Sequence, residues 1–272
     1  MANSINTNYG AAIALQNLNA TNAQLERTQN RVNTGMKVAT AKDNGAIFAI
    51  ATTQRANMGA MDAVKNSLQR GQSIVDVALA AGDTVTAALE EMKQLAVNIQ
   101  SSVAGSDAET AYLKDFNALG GEIDKALKGA SFDGVNLWNT TTATSLTTSV
   151  SGGTYEIGFG TTDKAAAAAV TAVSAGTAVR AGATTAIVDA AIKEITSDLA
   201  TLGTQSKSVG RQLTFVGKLQ DATEAGIGNL VDADLAKESA KLTALQTKQQ
   251  LGVQALSIAN SSSSILLNLF RS

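Results

Sequence analysis

QQLGVQALSIANSSSSILLNLF, residues 249–270, is a chain end without one charged side chain. Chain ends are usually solvated and frayed. Here Leu251, Ala255, Ile258, Ile265 and Leu269 recur at steps of three and four once Ser262 is allowed in the same row. That spacing is the seam of a helix built to lie against other helices. An uncharged segment of this length could also cross a membrane, but Gln249, Gln250, Gln254, Asn260, the run Ser261–Ser264 and Asn268 are too polar for hydrocarbon. The partner of this face is therefore protein, with no membrane insertion.

The other end has the same character. Glu26 is the first charged residue, and Ala11, Leu15, Leu18, Leu25, Val32, Met36 and Ala39 follow a heptad in which Asn22 and Gln29 fill two seam positions. Two uncharged, seam-bearing ends predict one structure made from both. A pair of such helices has more apolar face than it can bury against itself, so the remainder is expected to be buried between copies. Leu15, Leu18, Leu25, Leu251, Ile258, Ile265 and Leu269 are the candidate subunit-interface residues, and residues 1–40 with 233–272 the candidate terminal coiled-coil domain.

Between the ends, residues 41–130 and 185–232 read as a helical rod domain with both termini at one end. Met61, Val64, Leu68, Gly71, Val75, Ala78, Gly82, Val85, Leu89, Met92, Ala96, Ile99 and Val103 alternate steps of three and four without a slip, which is a heptad seam. Gly71 and Gly82 cost helix propensity, so close approach of a neighbouring helix is their expected role. Ser106-Asp107-Ala108-Glu109 has the form of a capping box starting a helix that Lys128-Gly129 would end. From Thr185, Val188, Ile192, Ile195, Leu199, Leu202, Val209, Leu213, Val216, Ile227 and Leu230 keep the heptad again. Gly35, inside RVNTGMKVATAKDN, weakens the period and marks a spoke between the domains. Residues 131–184 break the helical grammar: Asp133-Gly134 reads as a turn, and Leu146–Val150, Gly152-Gly153 and Tyr155–Phe159 as a β-hairpin. The expectation is a mainly α chain with a small β-hairpin region near residues 131–160, placed with its loop at a solvent-exposed tip.

Composition narrows the function. The 272 residues include no Cys, no His and no Pro. Disulfides, thiolate metal sites, the usual general base and the commonest transition-metal ligand are all absent. No phosphate-cradling or dinucleotide motif is present, so the reading is no enzyme, no cofactor and no metal. A net charge of −2 leaves no basic footprint for nucleic acid. Without proline, the chain has no slow X-Pro isomerisation and can refold quickly after threading through a channel. The start, MANSINTNYG, has neither the basic nor the apolar region of a cleavable signal.

Several stretches resemble bacterial flagellin, the subunit of the flagellar filament. Ile5-Asn6-Thr7-Asn8 is similar to that family's opening, and Arg31-Val32-Asn33-Thr34-Gly35 with Ala41-Lys42-Asp43-Asn44 to its RLSSG…SAKDD spoke. Leu89 and Leu95-Ala96-Val97 resemble its LQRVRELAV segment, Phe132-Asp133-Gly134-Val135 its FNGV turn, Asp232-Ala233-Asp234 its DAD, and Ile265 to Arg271 its closing SLLR. The middle matches nothing in particular; members with large outer domains carry them there, and with room for little more than hairpins and a short loop this chain looks like a compact member. The resemblance implies a helical homopolymer, with other flagellins where several coexist, whose terminal helices form an inner tube. It also implies export through the flagellar type III apparatus, an export chaperone, a filament cap, hook-filament junction proteins and an extracellular location. A junction or other axial protein sharing the terminal helices is the alternative. Family members often carry O-linked sugars on outward Ser/Thr clusters, which makes Thr140, Thr141, Thr142, Thr144, Ser145, Thr147, Thr148 and Ser149 candidates. In members recognised by the toll-like flagellin receptor, LQRVRELAV presents an anchoring arginine; aligned here it falls on Glu91, and the second arginine becomes Lys93. That predicts a poor receptor agonist.

Overall fold

The computed structural model describes residues 8–140, 142–159 and 166–269, the side chains of 166–169 and 262–269 excepted. The chain is mainly α: α1 (Tyr9–Thr34), α2 (Gly45–Ser101), α3 (Asp107–Gly129), β1 (Thr144–Thr147), β2 (Thr154–Ile157), α4 (Ala166–Ser174), α5 (Thr185–Val231) and α6 (Leu235–Leu269). It divides into two compact units. One is Met1–Ala56 with Ala222–Ser272, the other Asn57–Asp221.

In the second unit the α2 seam is buried at every predicted position from Met61 to Ile99. Val103 departs from the expectation, because α2 ends at Ser101 and leaves that valine exposed. The two seam glycines serve different neighbours. A Cβ on Gly82 would lie 2.4 Å from Leu199 of α5, as a close helix approach requires. A Cβ on Gly71 would lie 2.1 Å from Leu146, so that notch admits a strand residue rather than a helix.

The segment expected at a solvent-facing tip contributes to the core instead. β1 and β2 pair antiparallel, with Thr144 opposite Ile157 and Thr147 opposite Thr154. Alternation turns Leu146 and Ile157 inward, where both are fully buried. The backbone N–H of Thr147 donates to Ser67, and the Trp138 indole N–H donates to the Ala78 carbonyl at 2.9 Å. Phe159 packs on Trp138 with ring centres 5.1 Å apart. These contacts lay the hairpin along the flank of α2, since its apolar side chains find cover there that a tip could not provide. The alanine-rich stretch beyond it forms α4, which packs against α3 with Val170 and Val173 buried. The helices meet so closely that a Cβ on Gly120 would lie 2.4 Å from the Val173 carbonyl oxygen.

The capping box forms. Ser106 accepts from the Glu109 N–H at 3.2 Å, and the Glu109 carboxylate reaches back to the Gly105 N–H. Arg180 closes the same end by donating to Glu109 and to the Ser102 and Gln100 carbonyls, the last of which would otherwise be orphans of the α2 terminus. At the other end of α3 the expected stop signal is displaced: Gly129 is still helical, and the cap is Ala130 at φ −74°. Hydrogen bonding from Gly105, then from Arg180, holds the Glu109 carboxyl below its ordinary value of 4.5. A depressed folded-state value means that this contribution is fully present above the ordinary value and is lost as pH falls through the depressed one. Acid titration of stability from about pH 6 to about pH 2 should therefore be steeper for the parent than for Glu109→Gln. Parallel curves would refute this.

Candidate functional site

The first unit is built from the two chain ends. α1 turns Ala11, Ala14, Leu18, Thr21, Leu25, Thr28 and Val32 toward α6, which answers with Glu238, Leu242, Leu245, Gln249, Gly252, Leu256 and Ala259. Both rows step by threes and fours, the signature of coiled-coil packing. Half of the expected α1 seam shifts by one residue. Ala11, Leu18, Leu25 and Val32 hold, but the intervening positions are Ala14, Thr21 and Thr28 rather than Leu15, Asn22 and Gln29. Close packing explains the shift. A Cβ on Gly252 would lie 3.2 Å from Leu18, so the opposing positions are small. Thr21 can be buried because its hydroxyl donates to the Asn17 carbonyl at 2.9 Å.

Three polar ties fix the register of the pair. Asn8 Nδ2 donates to the Ala259 carbonyl and Gln249 Nε2 to Asn22 Oδ1, each at 2.8 Å. Arg31 pairs with Glu238 at 3.1 Å. The two helices are also interrupted together. Gly35, at φ 71°, takes the left-handed conformation that ends α1. The Lys37 N–H then donates to the Val231 carbonyl at 2.7 Å and the Ala233 N–H to the Gly35 carbonyl at 2.8 Å. Asp43 organises the next turn by accepting from the backbone of Thr40 and Ala39, and the Thr40 N–H does most to hold its carboxyl below 3.8. Asn44 and Asp234 cap α2 and α6.

The described residues of the tail row, Leu251, Ala255 and Ile258, flank the α1–α6 contact rather than fill it. Leu251 is 60 % exposed and Ile258 70 % exposed. The side chains of Ile265 and Leu269 lie outside the described residues. Among its described residues α6 thus carries one row packed on α1 and a second, largely exposed row beside it. Leu251 and Ala255 border a groove whose other wall is Gly10, Ile13 and Ala14 of α1, and Leu15 is exposed nearby in sequence. Leu18 and Leu25 are half-buried against α6.

The remaining candidates are placed as follows. In β1, Ser145 and Thr147 face solvent, as does Thr142 before it; Thr140, Thr144, Thr148 and Ser149 are half-buried, and Thr141 lies outside the described residues. Glu91 is exposed on α2, and Lys93 pairs with Asp189 at 2.6 Å. Sequence reasoning missed the Arg180 closure and the threonine seam. Arg31, beside Val32 of the α1 row, and Glu238 of the α6 row carry opposite charges, a signal for the pairing. None of the described helices is long and apolar enough to cross a membrane.

Comparison with known proteins gives two family matches: the bacterial flagellin N-terminal helical region over residues 5–143 and the bacterial flagellin C-terminal helical region over residues 185–270. Among similar proteins, flagellin FljM of Caulobacter vibrioides is 52 % identical over 99 % of both chains, and flagellin FljN of the same organism 54 % identical over 99 % of both. A flagellin of Brucella melitensis is 38 % identical over 98 % of this chain and 99 % of its own.

Proposed function

This chain belongs to the bacterial flagellin family, and from that premise we propose which of its surfaces build the filament. It is a structural subunit that self-associates into the helical flagellar filament, and its family is a structural one, which supports the reading of no catalysis. The observation that carries the assignment of surfaces is the exposed row of α6: Ile258 is 70 % exposed and Leu251, at the rim of the α1–α6 groove, 60 % exposed, and the row continues in sequence to Ile265 and Leu269. Together with Leu15 they form the subunit interface of an inner tube made from residues 1–40 and 233–272, while Leu18 and Leu25 hold α1 to α6 beneath it. Residues 41–130 and 185–232 are assigned to the filament's shell, to which the hairpin contributes Leu146 and Ile157 as core and Ser145 and Thr147 as exposed surface.

Export unfolded through the flagellar type III apparatus, a chaperone on the C-terminal helix, and assembly beneath a cap and beyond junction proteins complete the reading, with the product outside the cell. The absence of proline and of disulfides supports it, since neither slow isomerisation nor oxidation delays refolding. Sugars, where attached, go to Thr142, Ser145 and Thr147, the exposed members of the Ser/Thr cluster among the described residues. Electron microscopy of the purified chain after salt-induced polymerisation tests the whole: long smooth filaments are expected, and their absence would favour a junction role.

Recognition by the toll-like flagellin receptor should be weak. Arginine is a favoured interface anchor because its planar fork makes several charge-assisted bonds, whereas Glu91 offers the opposite sign at an exposed position. Glu91→Arg is expected to raise receptor-dependent signalling by monomer at least about tenfold, the effect of roughly 1.4 kcal/mol. Strong signalling by the unmodified chain would contradict this.

A further inference from the structure

The sequence contains a single Asn-Gly pair, Asn44-Gly45, and both residues are exposed. Asparagine followed by glycine is the dipeptide most prone to lose its side-chain amide, because no Cβ keeps the following nitrogen from reaching the asparagine Cγ. In the fold this pair starts α2. Asn44 Oδ1 accepts from the Ala46 and Ile47 N–H groups, each at 3.1 Å, and the Asn44 carbonyl accepts from the Phe48 N–H at 2.9 Å. On the preceding side Asp43 Oδ2 accepts from the N–H groups of Ala39 and Thr40 at 3.1 and 3.0 Å and from the Thr40 hydroxyl at 3.1 Å. The side chain and the backbone of Asn44 are therefore each held by bonds to the first turn of α2, and the residue before it is held by the turn that leads in.

We propose that Asn44 is a deamidation site gated by the α2 cap, protected while the cap is closed and open to reaction whenever the chain is unfolded. In the reaction the Gly45 N–H gives its proton to solvent base, the nitrogen bonds to Asn44 Cγ, and the amide nitrogen leaves as ammonia, closing a succinimide. Water then opens that ring at either carbonyl, giving aspartate or isoaspartate. Attack makes Cγ tetrahedral and turns Oδ1 away from the two N–H groups that donate to it, so the cap must open before the ring can close. The two products differ in effect. Aspartate still caps, and its charge suits a helix N-terminus. Isoaspartate carries the main chain through the former side chain, so the bonds to Ala46, Ile47 and Phe48 lose their alignment and the first turn of α2 is undone. A chain that lingers unfolded is thereby marked irreversibly at the start of α2, and a folded one is spared.

The full chain, incubated at mildly alkaline pH either folded in buffer or unfolded in guanidinium chloride, supplies the test, with peptide mapping by mass spectrometry following the mass gain at Asn44. In the unfolded chain Asn44 is expected to deamidate faster than every other asparagine. In the folded chain its rate should be lower by at least about fivefold, the factor that a cap of ordinary strength implies. Ala46→Pro removes one of the two donors and disfavours a helical Gly45, so its ratio of unfolded to folded rates should fall toward one. If that variant does not fold, hydrogen exchange of the Ala46 and Ile47 amides in the parent takes its place, and their protection should match that of Asn44. Equal rates in the folded and unfolded parent would overturn the proposal, as would an unfolded chain in which Asn44 is no faster than other asparagines. So would a ratio that Ala46→Pro leaves unchanged, or amides that exchange freely while Asn44 stays protected.

Discussion

A chain carrying Ile258→Asp is expected to keep its helicity and lose its filaments. Ile258 faces away from α1, so within one copy the carboxylate meets water and costs little. Between copies the same position becomes part of a buried seam, and a carboxylate stranded there without a partner costs on the order of several kcal/mol at every contact in the polymer. Assembly repeats that cost for each subunit added. Circular dichroism of the monomer and electron microscopy after polymerisation read the two halves of the expectation. Filaments of parental length at parental protein concentration would reject Ile258 as an interface residue.

Phe116→Ala and Leu251→Ala should separate folding from assembly in opposite directions. Phe116 is fully buried among Met92, Ile123, Val173 and Ile195, and truncating a phenylalanine in such a site removes about 3–5 kcal/mol. For a small domain that is a large part of the total. Leu251 removes little burial from a single copy, and its loss should change monomer stability by no more than about 0.5 kcal/mol, while filament formation weakens markedly. Denaturant unfolding of the monomers measures the first effect, and the concentration needed for polymerisation the second. A Leu251→Ala monomer that unfolds as early as Phe116→Ala would show that this leucine is core.

The long helices were legible because their seams obey one period over many turns. From Met61 to Ile99 every predicted position is buried, since a slip of one residue would turn charged neighbours such as Asp62 inward. α1 was half legible for the opposite reason. Its alternatives to the true seam, Asn22 and Gln29 against Thr21 and Thr28, are all polar, and only Leu15 against Ala14 offered contrast. The larger side chain suggested the inner position, but a helix pair packed close to a glycine takes the smaller one. The middle of the chain was legible in kind and not in place. Alternation around Leu146 and Ile157 announces strands, yet nothing local says that Leu146 will enter a notch at Gly71, a residue distant in sequence. Arg180 was invisible for a similar reason, because two of its three partners are backbone carbonyls that any sequence would present and the third, Glu109, is distant in sequence.

The tie between Asn8 and the carbonyl of Ala259 joins residues 251 positions apart. Loop-closure entropy and contact order make such a contact among the last that a chain can form. The middle unit, whose helices are neighbours in sequence, can collapse first, and its folding shortens the effective loop that α1 and α6 must close. Until α6 exists, α1 lacks the helix it pairs with, whatever route delivers the chain. The timing of the fold therefore sits in the topology: the ends complete their structure last, when neighbouring copies can already compete for the same faces.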